Sequence, residues 1–113
     1  VWVFTGTGFV SIVASGNEAD TLVVRSRDRL SLEPIAELAG AEIVVGAGTD
    51  YPYRVFVERA TLASWLAEQT AAIDYRNFKD RVHDTRGDRF ADALFRVWSA
   101  MCNVTDDEAT GQG

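Results

Sequence analysis

Six side chains in this 113-residue sequence are of the types that could assemble one recognisable chemistry. Arg25, Arg27 and Arg54 stand on apolar, alternating stretches, while Asp74, Tyr75 and Lys79 fall in one short run. A guanidinium presents a planar fork of donors that fits a carboxylate or a phosphate, and a lysine adds a point charge. If the strands carrying the arginines are neighbours, the set would line a pocket for a small anionic ligand. The commoner fate of such charges is surface pairing, here with Glu58, Asp74 and Asp80.

Other chemistries fare worse. His83 beside Asp84, with Ser99 or Cys102 downstream, contains the letters of a nucleophile, a base and an orienting acid, but no nucleophile elbow surrounds either candidate. Cys102 ends an apolar helical stripe and reads as a small buried hydrophobe. One cysteine and one histidine cannot build a four-ligand zinc site or an internal disulfide. The carboxylates are numerous enough for a magnesium or calcium site, but no calcium-loop spacing occurs, and no metal and no cofactor is expected. The glycine-rich stretches 5–8 and 46–50 lack the following helix that a phosphate-binding loop needs, and they read as turns. Tyr51, Tyr53 and Tyr75 could stack on a base, although core or rim packing is commoner for tyrosine.

Charge narrows the partners. The net charge is −6, with 17 acidic residues against 11 basic ones. Phosphate neutralisation needs a cationic footprint, so nucleic acid is disfavoured as a partner. No apolar run reaches the ~20 residues of a membrane helix, and the start at Val1 lacks the pattern of a signal peptide, so a cytoplasmic location is expected.

These residues must be held by elements, and the hydrophobic period supplies them. After the apolar start Trp2-Val3-Phe4, residues 9–14 are β-branched and aromatic, and apolar on both faces, which suits a strand with neighbours on both sides. The glycines between them read as a turn or a bulge. Residues 16–20 form a hairpin loop, and residues 21–27 form its partner strand, with Leu22, Val24 and Ser26 alternating against Val23, Arg25 and Arg27. Ser31 reads as the N-cap of a short helix that Gly40 stops. Ile43-Val44-Val45 and residues 54–59 give two more strands, Val55 and Val57 opposing Arg54, Phe56 and Glu58. The period then becomes helical. Leu62, Trp65, Leu66, Gln69 and Ile73 make one stripe, and Phe90, Leu94, Val97, Trp98 and Met101 make another. Between them, residues 73–82 join the two helices, with Asp74 as the expected N-cap of the restart, and residues 83–88 read as a polar loop.

Five stretches, Trp2-Val3-Phe4-Thr5 with Gly8-Phe9-Val10-Ser11-Ile12-Val13, Val24-Arg25-Ser26-Arg27, Tyr51-Pro52-Tyr53-Arg54-Val55, Ile73-Asp74-Tyr75-Arg76-Asn77-Phe78-Lys79 and Val97-Trp98-Ser99-Ala100-Met101, together resemble a family of small uncharacterised bacterial proteins of about this length. The resemblance runs to Met101. It implies a free-standing bacterial domain and carries no activity, ligand or site residue.

The expected fold is α+β in the order ββαββαα: one domain over residues 1–102, with a mainly antiparallel sheet of about four strands and helices on one face, followed by a polar, mobile tail over residues 103–113. The expected function is a non-enzymatic binding or interaction module that self-associates. The alternative is a small enzyme or ligand sensor whose anion pocket is built from Arg25, Arg27, Arg54, Asp74, Tyr75 and Lys79.

Overall fold

The computed structural model of the chain describes residues 1–16, 18–46 and 50–105. The expected loop residues at Asn17 and 47–49, and the tail from 106 onward, lie outside them. Two compact units follow one another along the chain, residues 1–75 and residues 76–113.

The first unit is α+β. Its strands are β1 (Trp2–Thr5), β2 (Gly8–Ala14), β3 (Thr21–Ser26), β4 (Val44–Val45) and β5 (Tyr53–Glu58). They form one sheet in the order β1-β2-β3-β5-β4, with every neighbouring pair antiparallel. There are five strands where the sequence suggested four. Gly6 and Thr7 make a tight turn, so Trp2-Val3-Phe4 is a strand in its own right, paired residue by residue with β2. β2 is thereby flanked on both sides, as its two apolar faces required.

Helices α1 (Arg29–Ala39) and α2 (Arg59–Ala71) cover one face of this sheet. Val10, Ile12, Val24, Val55 and Val57 point to them from β2, β3 and β5. Leu32, Ile35 and Ala36 of α1, with Leu62 and Trp65 of α2, complete the core. α1 begins three residues earlier than its cap signal suggested. Asp28 is the N-cap, and Ser31 lies inside the first turn, where its hydroxyl donates to Asp28 Oδ1 at 2.6 Å and accepts from the amide of Phe9 at 3.1 Å. Ser31 is thus spent on fastening α1 to β2. Gly40 ends the helix at φ 62°, the left-handed conformation expected of it. Ile73 does not close the stripe of α2. The helix stops at Ala71, and Ile73 beyond it is 54% exposed.

The second unit contains α3 (Phe78–Arg86) and α4 (Asp88–Cys102), packed on each other. Asn77, not Asp74, caps α3: its side-chain oxygen accepts the amide of Asp80 at 3.0 Å. The polar stretch 83–86 is helical rather than a loop. The break comes at Gly87, whose φ of 87° few other residues adopt. Val82 and Leu94 are buried, whereas Phe95, Val97, Trp98 and Met101 on α4 are exposed, and so is Cys102. The burial expected for Cys102 fails, and Met101 beside it at the end of the α4 stripe is exposed as well.

No helix among the described residues is long and apolar enough to cross a membrane.

Candidate functional site

Antiparallel register places paired residues on the same side of a sheet, so the face opposite the helices can be read row by row. One row crosses all five strands as Trp2, Ser11, Arg25, Arg54 and Val44. The row on one side contains Phe4 and Phe9, and the row on the other contains Val13, Val23 and Phe56. Neither helix of the first unit packs on this face. Three of its apolar residues are exposed, Trp2 by 64%, Phe56 by 49% and Val13 by 38%, whereas Val23 and Ser11 are buried.

Arg25 and Arg54 are the chemical centre of the face. They stand directly opposite each other on β3 and β5, and both are partly buried. Like charges in this position repel, and the usual remedy is a carboxylate between them. Among the described residues no carboxylate pairs with either one. Arg25 is instead held by neutral groups. Its Nη2 donates to Ser11 Oγ at 2.7 Å, and its guanidinium lies 4.6 Å from the centre of the Tyr51 ring. Its Nε is buried with no hydrogen-bond partner. A buried, charged donor without an acceptor is costly.

The rings around this centre differ in how far they are already engaged. Phe9 stacks on Phe4 with centroids 4.5 Å apart, and Trp2 meets Phe9 edge-on at 5.7 Å. Those contacts are why the second apolar face of β2 needs no helix. Phe56 has no ring partner among the described residues.

The other expected site residues lie elsewhere. Arg27 is exposed, and its Nη1 donates to the backbone carbonyl of Asp50. Asp74 is exposed and Tyr75 partly buried, both beyond the end of α2 and both with partners of their own. Lys79 belongs to the second unit, where its Nζ sits 4.6 Å from the Phe95 ring and 5.2 Å from the Trp98 ring. Of the six residues, the structure therefore brings Arg25 and Arg54 together. Tyr53 turns to the core side of the sheet, whereas Tyr51 stacks on Arg25. Ser11 and Phe56 join the site, although the sequence did not single them out for it, and Tyr51, read as a possible stacking partner for a base, lies against Arg25. Strand alternation already put Ser11 and Phe56 on the arginine face, and only the pairing of β3 with β5 shows that they share it.

The possible triad does not assemble. His83 Nε2 contacts Asp88, the first residue of α4, and its Nδ1 lies 3.8 Å from Asp84. Cys102 is the last residue of that helix, ~20 Å away at the rise of an α-helix, and Ser99 is only one turn nearer. No cluster of metal-binding side chains occurs among the described residues. A depression of about 530 Å³ beside the C-terminal half of α1 is lined by Glu33, Glu37 and Glu42, with Arg29 already 3.8 Å from Glu33. Its charge is wrong for an anion.

No protein-family model matches the chain, and searches of curated proteins and of solved structures return no match either. Nothing in these comparisons bears on the resemblance to small bacterial proteins.

Proposed function

We propose that this protein is a non-enzymatic binding module that captures a small organic anion on the open face of its sheet. One observation carries the reading: Arg25 and Arg54 face each other across β3 and β5, with no carboxylate partner among the described residues. The surrounding apolar rows give such a ligand a surface for its non-polar part. The acidic body favours a small ligand over a polyanion, since residues 1–75 contain ten carboxylates and five arginines.

The test is thermal unfolding in a panel of small anions at matched ionic strength. At least one anion should raise Tm above its value in chloride by mass action, and Arg25→Met and Arg54→Met should each remove that rise. A panel in which no anion distinguishes the native chain from Arg54→Met sinks the proposal.

Self-association is the second reading, favoured by the exposed apolar side of α4: Phe95, Val97, Trp98 and Met101. The open sheet face is a poorer interface for two copies. Symmetric pairing about its centre would bring four guanidiniums together in a drying contact. A mass that stays monomeric across a wide concentration range in light scattering would remove this second reading.

A further inference from the structure

Resting on the anion-binding reading above, we infer that the ligand is an aryl carboxylate, its carboxylate at Arg25 and Arg54 and its ring on the row of Val13, Val23 and Phe56. The direction follows from what is already occupied. Tyr51 precedes Arg54 by three residues and lies against the guanidinium of Arg25, and the contact of Arg27 with Asp50 closes the same end of β3. On that side Phe4, Phe9 and Trp2 are engaged with one another. The row on the other side, Val13, Val23 and Phe56, shows no ring contact among the described residues.

The row on that side is one strand repeat from the arginines, or ~7 Å. This is the reach of a single ring bearing a carboxylate. Val23, at 6% exposure, lies between Val13 and Phe56, which are open at 38% and 49%. A flat apolar group is thus offered two exposed side chains flanking the buried Val23, one of them an aromatic ring with no ring partner among the described residues. The head group has to lie against this apolar row, so a singly charged carboxylate loses less hydration than a phosphate dianion. A planar carboxylate also matches the guanidinium fork.

The experiment is calorimetric titration of the full chain with benzoate, acetate, phenyl phosphate and inorganic phosphate. Benzoate should bind roughly tenfold more tightly than acetate, the worth of one stacked ring, and more tightly than phenyl phosphate. Phe56→Ala should bring benzoate down to the affinity that acetate has for the same variant. Phe56→Leu, which keeps an apolar side chain in place for folding, should erase most of the advantage of benzoate. Arg54→Met should abolish binding of both. Acetate and phosphate that bind through Arg54 with no gain from the ring would overturn this inference and leave the binding module standing. Phenyl phosphate binding as tightly as benzoate would overturn the choice of carboxylate, and no Arg54-dependent binding of any of the four would overturn both readings.

Discussion

Replacing Arg54 with methionine should make the unliganded protein more stable, which is the reverse of what most substitutions on a strand do. The side chain is partly buried and directly opposite Arg25. Register-paired Cβ atoms lie ~5 Å apart, and the long stems let the guanidiniums splay to ~8 Å. At that separation Coulomb repulsion is ~0.5 kcal/mol in a water-like dielectric and ~2 kcal/mol at the effective value for protein surfaces. The open face screens the pair, so the lower half of that range applies, ~0.5–1 kcal/mol. Methionine keeps an apolar stem of similar reach, so little packing is lost. For a domain of this size the gain corresponds to ~3–6 °C in Tm. The assay is thermal unfolding of both proteins from low to high chloride. The gap should be widest at low ionic strength and shrink towards 1 M salt, where the screening length falls to ~3 Å. The double variant with Arg25→Met should return a coupling energy of repulsive sign. Arg25→Met alone is less informative, because it also loses the Ser11 hydrogen bond and the contact with Tyr51. An Arg54→Met protein that is less stable at every salt concentration would refute the reasoning, because Arg54 would then be a structural partner.

Two further substitutions test the frame that holds the site. A Cβ at Gly8 would lie 2.7 Å from Ser31 Cβ and 2.9 Å from its Cα, so Gly8→Ala must push α1 away from β2 and strain the Phe9–Ser31–Asp28 hydrogen bonds. A cost of ~2–4 kcal/mol in urea unfolding is expected, and a change below ~0.5 kcal/mol would mean that the helix is not seated there. Asn77→Ala should cost ~1 kcal/mol in the second unit through the lost cap on Asp80, whereas Asp74→Ala should cost less, measured as helicity and amide exchange of α3. Equal losses at the two positions would return the capping role to Asp74.

The parts of this molecule that were legible in the sequence are those governed by neighbours along the chain. Alternation assigned the two faces of β2, β3 and β5, and Gly40 marked its helix end because a left-handed residue is a local demand. What was not legible depends on contacts distant in sequence. Ser31 has the right type and position for a cap, but the amide of Phe9, twenty-two residues earlier, draws it into another role. α3 has little apolar stripe, with Val82 its one buried residue, so no period announced it over residues 83–86. Cys102 ends a stripe that ought to be covered, and its exposure is a fact of packing that no pattern along one helix contains.

The candidate site shows the same division. Each arginine, read on its own strand, is an ordinary outward charge with an acid not far away in sequence. The sheet order makes them unusual by setting β5 rather than β4 beside β3, with Arg54 opposite Arg25. A sequence selected only for stability would have a carboxylate or a neutral residue at one of these positions, as cross-strand pairing rewards. Elsewhere this unit meets such demands closely. At the start of α1 Ser31 donates to Asp28 Oδ1, and Ser26 accepts the amide of Asp28 with both Asp28 Oδ1 and the carbonyl of Phe9 in reach of its one hydroxyl proton. Two buried donors of this unit lack a partner, Trp65 Nε1 in the core and Arg25 Nε beside the pair of like charges, and on the proposed reading an anion on this face would offset the charge at the second. The stability gained by removing Arg54 and the binding lost with it are then two measurements of one interaction, and they should change together as salt screens the pair.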